Sequence, residues 1–283
     1  MVTPRASMVV VGDEILDGYI DEANAAWTSR RLRERGIALE RVTTVRDEVA
    51  SIRDEILRGL AGPRPVAVLT SGGVGGTWDD VTYAAVADAL GVPLRLDPGL
   101  ARPVERIIEW AGAQGFTFDE DSVQGMLRIA TVPEGAAVHH LRTYLACVRC
   151  PIDGGLAAPK GAEVIVLPGP PGHFRALMEE IVLPKVFPDD GMAPHVVEVT
   201  HDYPETLLVG PMRRIAQRFD EVTIGSYPGA TMLVRFQGPR LAAESAAEQL
   251  RDELCTLDAH PAAETLKEAW QQQAASWGPD REG

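Results

Sequence analysis

The chain has 283 residues, 45% of them hydrophobic and 24% charged, a globular composition long enough for about two domains with cores of their own. Its 27 Lys and Arg against 41 Asp and Glu give a formal charge of −14, and no basic run breaks that balance, which argues against nucleic acid and anionic membrane surfaces as partners. Three cysteines fit a reducing cytosol, and the four apolar residues before Gly12 are too few for a signal or spanning segment, so a cytoplasmic home is expected.

Strand-like and helix-like segments alternate over the first 185 residues or so. Met8 to Val11 is a continuous apolar run stopped by Gly12, the pattern of a strand buried on both faces of a parallel sheet. A helix is predicted from about Asn24 to Arg35, with Asn24 as N-cap and Gly36 as stop. Ala38 to Val45 is the next strand. Ser51 to Leu60 is a helix with Ile52, Ile56 and Leu57 or Leu60 on one face, closed by Gly62-Pro63. Val66 to Leu69 is a third strand, followed by a Gly-rich turn and a helix from about Asp80 to Leu90 that Gly91 ends. Beyond it, Val104 to Trp110 is predicted helical, and Leu127 to Val132 and Glu163 to Leu167 are predicted strands, with a poorly patterned stretch between the last two. Pro168 to Gly172 is a stiff turn before a helix from about His173 to Ile181. The βα alternation predicts an α/β fold with a parallel sheet covered on both faces.

Pro184, Pro188 and Pro194, with Asp189-Asp190-Gly191 between them, mark a linker. After it the order changes to βαββα: Val196 to Tyr203, Glu205 to Phe219, Val222 to Tyr227, Met232 to Phe236 and Leu241 to Leu254. This suggests a small α+β layer of ferredoxin-like type. The expected division is a first domain over 1–187, a second over 194–257, and a polar, partly disordered tail over 258–283.

The strongest chemical signal is the segment Ser71-Gly72-Gly73-Val74-Gly75-Gly76-Thr77-Trp78-Asp79-Asp80, between a buried strand and a helix. Ligands of open α/β sheets bind at the carboxyl ends of strands. Glycines there let backbone N–H groups approach an anion, and the helix that follows offers free N–H groups. Ser71, Gly72, Gly73, Gly75, Gly76 and Thr77 are therefore the candidate phosphate-binding residues. A tight turn with Asp79 or Asp80 merely capping the helix is the plainer alternative. It is not a Walker loop, because no Lys-Ser/Thr pair closes it. Carboxylates beside a phosphate need screening, so Asp79 and Asp80 point to a divalent cation, or to one acid turned away toward a ribose or base edge. Gly12-Asp13-Glu14 follows the first strand and Asp47 the second; in a parallel sheet these acids converge on the same edge, although each alone could be a helix cap.

Together, Gly12-Asp13-Glu14-Ile15-Leu16-x-Gly18 with Asn24, then Arg46-Asp47, then Gly72-Gly73-Val74-Gly75-Gly76-Thr77-x-Asp79-Asp80-x-Thr82, resemble the molybdopterin-binding-like domain family. Within it the chain is most similar to the N-terminal part of the competence/damage-inducible protein A (CinA) branch. Val132 to Ala136, Leu167 to Pro171 and Ile224 to Pro228 extend the resemblance over roughly residues 7–255. It implies a three-layer α/β core with a small α+β domain, usually as a homo-oligomer, binding a small-molecule nucleotide or pterin phosphate. In the CinA branch it implies hydrolysis of a pyrophosphate bond in ADP-ribose-like dinucleotides with Mg²⁺, Mn²⁺ or Co²⁺. In the molybdopterin branch it implies adenylyl transfer to molybdopterin, or handling of that cofactor as a ligand. Asp47 and Asp80 carry over as the catalytic acids, with Asp47, Asp79 and Asp80 as metal ligands, and Gly12, Asp13, Glu14, Asn24, Pro168 and Gly169 as substrate contacts. Two positions depart from the family pattern: Gly76 stands where a proline is usual, and His173-Phe174 where Glu-Met is usual.

Three weaker signals remain. Cys147-x-x-Cys150 near His139-His140 offers four zinc-type ligands without a familiar finger spacing, or ordinary thiols in a loop. His195 and His201 flank a predicted strand and read as surface or packing residues. Arg213, Arg214 and Arg218 read as a helix face paired with nearby acids.

Overall fold

A computed structural model describes residues 5–61, 66–141, 145–152, 161–189, 193–229 and 231–275. The chain divides into two compact units, Met1–Ala193 and Pro194–Gly283. Asp190 and Gly191 of the expected linker lie outside the described residues, as do residues 276–283. No described helix is long and apolar enough to cross a membrane.

In chain order the first unit runs β1 (Arg5–Val11), α1 (Asp13–Leu16), α2 (Asn24–Arg33), β2 (Ala38–Val45), α3 (Val49–Leu60), β3 (Val66–Ser71), α4 (Thr82–Leu90), β4 (Leu94–Leu96), α5 (Pro98–Ala113), α6 (Glu120–Arg128), β5 (Thr131–Pro133), β6 (Ala137–His140), β7 (Ala146–Pro151), β8 (Glu163–Leu167), α7 (Pro171–Leu177), a π turn over Met178–Val182 and α8 (Leu183–Lys185). The main sheet has the order β2-β1-β3-β8-β7-β6. Its β2, β1, β3 and β8 are mutually parallel, and β7 and β6 close one side antiparallel. Side chains alternate between two cores, as the strand period of two requires. Val9 and Val11 face one core with Ile52, Ile56 and Val86, and Met8 and Val10 face the other with Leu32, Phe174 and Leu177. These are the three layers of an α/β fold. Phe174, fully buried and edge-on to Trp27 at 6.3 Å, anchors α7 to α2. Truncating it to alanine would cost about 3–5 kcal/mol.

Several expectations are corrected. Leu127 to Val132 is not one strand: α6 covers the segment through Arg128, capped by the Asp119 carboxylate, which accepts the Ser122 amide at 2.7 Å, and β5 begins only at Thr131. The unpatterned stretch holding the Cys pair contains the strands β6 and β7. Cys147 faces one core and Cys150 the other, so the two thiols cannot share a zinc ion with His139 and His140. Burial pushes both thiols up to about 12, which leaves them inert. The helix after the Pro-rich turn continues past Ile181 to Lys185, and the wider π turn precedes Pro184, which lacks the N–H a regular helix needs.

The second unit runs β9 (His195–His201), α9 (Glu205–Arg218), β10 (Thr223–Tyr227), β11 (Met232–Gly238), α10 (Arg240–Asp258) and α11 (Ala263–Ala275). Its antiparallel sheet has the order β10-β11-β9, a small α+β domain with three strands among the described residues. Leu208 and Ile215 of α9 and Phe236 of β11 are fully buried in its core. His201 is buried at the end of β9 and accepts the Tyr203 amide, while Arg214 pairs with Glu253 and Arg218 with Gln249. The expected polar tail is instead helical to Ala275. Ala263 packs into the core, and Lys267 binds Asp258 at 2.7 Å while lying over the Tyr203 ring.

Candidate functional site

Because β1, β2, β3 and β8 run parallel, the segments after them meet at one sheet edge: Gly12 after β1, Asp47 after β2, the Gly-rich loop after β3 and Pro168-Gly169 after β8. The loop turns sharply at Gly72 (φ 105°) and Gly73 (φ 64°), conformations that favour glycine. A Cβ on Gly72 would stand 2.1 Å from the Val11 carbonyl oxygen, so the loop also needs glycine there to pass β1. Thr82, at the start of α4, ties the loop down: its amide donates to the Gly73 carbonyl and its hydroxyl to the Gly72 carbonyl, both at 2.9 Å.

The Asp80 carboxylate turns back into the loop. It accepts the Gly75 amide at 2.6 Å, the Thr77 amide at 2.8 Å and the Thr77 hydroxyl at 2.5 Å. Two of the amides expected to hold a phosphate are thus engaged by an acid. The amides of Gly73, Val74 and Gly76 donate to no described residue. From the other side Arg128 of α6 donates to the carbonyls of Gly76 (3.1 Å) and Thr77.

A second acidic group faces the loop. Asp13 and Asp47 exchange hydrogen bonds, the Asp13 amide donating to Asp47 at 2.9 Å and the Asp47 amide to Asp13 at 3.3 Å. This latches the tips of β1 and β2 together. Arg46 offsets part of the charge through Asp17 (2.8 Å) and Asp13 (3.4 Å). Burial, together with the charges of Asp13, Glu14 and Asp79, raises the Asp47 carboxyl above the ordinary carboxylate range, although the Asp13 amide pulls the other way.

Glu14, Asp47, Asp79, Asp80 and Gly72 to Thr77 line one cavity of about 460 Å³, a size suited to a small ligand. Gly12, Pro168 and Gly169 line it too. Asp13 is exposed beside it and acts on it through Asp47. Ser71 and Asn24 are buried behind the loop and do not line the cavity. Asn24 is not an N-cap: the Glu22 carboxylate accepts the Asn24 and Ala25 amides at 2.7 and 2.9 Å. That leaves the Asn24 side chain pointing inward, where its NH₂ binds the Ser71 hydroxyl (2.9 Å) and the Gly169 carbonyl (2.8 Å). His173, one of the two departures from the family pattern, is not among the lining residues. Ile129 lines the cavity and Arg128 braces it, and neither was singled out from sequence. Their signal was the acidic first turn Asp119-Glu120-Asp121, which marks a helix start and so places both at its far end.

Comparison with known proteins agrees with this architecture. Residues 7–187 match the model of a probable molybdopterin binding domain. A protein of Aeropyrum pernix is 35% identical over 233 residues, 80% of this chain and 79% of its own length. A CinA-like protein of Mycolicibacterium gilvum is 33% identical over 184 residues, 64% of this chain but only 41% of that longer protein. The crystal structure of the protein CinA from Thermoplasma acidophilum is 26% identical, with a TM-score of 0.51 over 65% of this chain and 97% of that one. The chain belongs to the molybdopterin-binding domain family, close to its CinA-like members.

Proposed function

We propose that the strand-tip cavity binds the phosphate of a nucleotide or pterin phosphate and that, with a divalent cation, it hydrolyses the diphosphate bond of an ADP-ribose-like dinucleotide. The observation that carries this reading is the shared lining of one cavity by the Gly73–Thr77 loop and the carboxylates of Glu14, Asp47, Asp79 and Asp80. Donor amides without a partner and a crowded group of acids are complementary needs that a metal-bound diphosphate would meet together.

The acids fit a hard cation in their chemistry. The Asp47 carboxyl is crowded by Asp13, Glu14 and Asp79, and a positive ion would relieve that crowding. Among the described residues no three His, Cys, Asp or Glu side chains stand close enough to hold an ion on their own. The ion would therefore share its coordination with the substrate, as Mg²⁺ does with one or two carboxylates plus phosphate oxygens. A bound divalent ion neutralises diphosphate charge and polarises the bond to be broken. The Gly73, Val74 and Gly76 amides hold phosphoryl oxygens. Asp47 and Asp79 would offer carboxylate oxygens to such an ion. Asp80 keeps the loop in shape through Gly75 and Thr77, and its carboxylate would be a further ligand for the ion. Asp47 or Asp80 would orient the attacking water. We take with this reading the expectations of a cytoplasmic home and of self-association.

Purified protein with Mg²⁺, Mn²⁺ or Co²⁺ is expected to convert ADP-ribose and water to AMP and ribose 5-phosphate. Asp80→Ala should reduce turnover at least about 100-fold, the scale of losing one preorganised electrostatic group. Intact ADP-ribose after prolonged incubation with each ion would rule out hydrolysis. A second reading, binding of a nucleotide or molybdopterin without turnover or with adenylyl transfer instead, is favoured by one observation: the Asp80 carboxylate already accepts three loop donors. Tight ADP-ribose binding with no product would select it.

A further inference from the structure

Trp78 sits between Thr77 and Asp79, both of which line the phosphate cavity, yet its indole is 84% exposed. It lines a neighbouring cavity of about 610 Å³ together with Ser122 and Gln124 of α6. The two cavities share Gly76, Thr77 and Ile129, so the phosphate loop is the partition between them. An exposed indole is an unfavourable surface group, and a flat aromatic face beside a polar cavity wall suits a flat heteroaromatic ring.

We infer that Trp78 is the stacking platform for the fused heteroaromatic ring of the ligand whose phosphate the Gly-rich loop holds, with the Gln124 amide and Ser122 hydroxyl placed to meet the polar edge of that ring. The inference rests on the phosphate-site reading above and adds the subsite that determines specificity. Phosphate affinity comes from loop amides, which do not read what the phosphate is attached to. Ring affinity comes from stacking, which every purine or pterin face supports and a bare phosphate does not. Trp78 takes no part in the core, so replacing it leaves the fold intact.

The test is calorimetric titration of wild type, Trp78→Ala and Trp78→Phe with ADP, a pterin phosphate and inorganic pyrophosphate, with Mg²⁺ present. Trp78→Ala should weaken binding of whichever ring-bearing ligand the wild type prefers by about tenfold or more, as loss of one aromatic stack does. Pyrophosphate affinity should stay within about twofold, and Trp78→Phe should recover most of the loss. The preferred ring tells a nucleotide from a pterin. Parallel losses for pyrophosphate and ring ligands, or no loss for either, would overturn the platform. A change in sedimentation of Trp78→Ala with no ligand-dependent effect would do so as well, and would assign the indole to a contact between copies of the chain. A wild type that binds pyrophosphate no less tightly than both ring ligands removes the platform alone. A wild type that binds none of the three removes the phosphate site and the platform with it.

Discussion

Gly76 and Gly125 meet backbone to backbone: a Cβ on Gly76 would stand 2.8 Å from the Gly125 carbonyl oxygen, and one on Gly125 would stand 2.7 Å from that of Gly76. Gly76 has no positive φ, so glycine is present there for room and not for backbone freedom. The pair lets α6 rest directly on the phosphate loop, where Arg128 adds hydrogen bonds to the Gly76 and Thr77 carbonyls. Position 76 is thus adapted to a helix seated against it.

Introducing proline or alanine at this position should consequently harm this protein. Gly76→Pro and Gly76→Ala each push a Cβ into the Gly125 carbonyl, and overpacking of this kind costs about 1–3 kcal/mol. Urea titration should show a lower midpoint for both variants with an unchanged slope. Wild-type stability in both would show that α6 does not bear on the loop.

The crowded acids predict a pH dependence of opposite sign to the usual salt-bridged aspartate. The Asp47 carboxyl is raised in the folded state, first by burial and then by Asp13, Glu14 and Asp79. The native protein therefore holds this proton more tightly than the unfolded chain. Stability contributed by Asp47 is lost as pH rises from the ordinary carboxylate value of about 4 through the raised one, and the penalty is complete above it. Asp47→Asn keeps an acceptor for the Asp13 amide while removing the charge. It should raise the melting temperature at neutral pH and lose that advantage in acid, below the ordinary carboxylate range. It should also weaken the dependence of ligand binding on divalent cation, leaving the part that Asp79 supplies. A melting temperature lower than wild type at neutral pH would mean that the carboxylate is stabilising there.

Much of this molecule was legible in its residues, and the exceptions share a cause. Apolar runs ending in glycine located β1, β3 and the close of α4, where Gly91 takes φ 68°. Since parallel strands share an edge, the acids after β1, β2 and β3 could be placed together without any contact being known. What stayed hidden depends on partners distant in sequence. The strand β7 carries Arg149 within a buried run, tolerable only because Glu163 of β8 meets it at 2.8 and 3.1 Å. The α6 segment was obscured because its last apolar residues run on into β5. For α11 the signal was present: Ala263, Leu266 and Trp270 recur at helical spacing beneath a glutamine-rich composition. Within the site, residue types were readable, but the direction of Asp80 and Asn24 was not. A carboxylate or amide turns toward whichever backbone groups its neighbours leave unpaired.

Asn24 shows what such a residue does once it is buried. Only 4% exposed, it donates to the Ser71 hydroxyl at the end of β3 and to the Gly169 carbonyl after β8, fastening two walls of the cavity to the first turn of α2. Its role is to position the walls, since the side chain lies outside the cavity lining. Asn24→Ala leaves the buried Ser71 hydroxyl and the half-buried Gly169 carbonyl without this donor, and a buried polar group that loses its partner costs about 1–3 kcal/mol. Asn24→Asp should be worse, because a carboxylate replaces the donating amide and faces a carbonyl oxygen. Both variants should melt below wild type, with Asp the lower at neutral pH and recovering toward Ala in acid as the carboxyl regains a proton with which to donate. Pyrophosphate affinity should fall in the same order, since the loop after β3 and the turn after β8 are no longer held together. Equal melting of Asn24→Ala and wild type would mean that the two walls are set by the sheet alone.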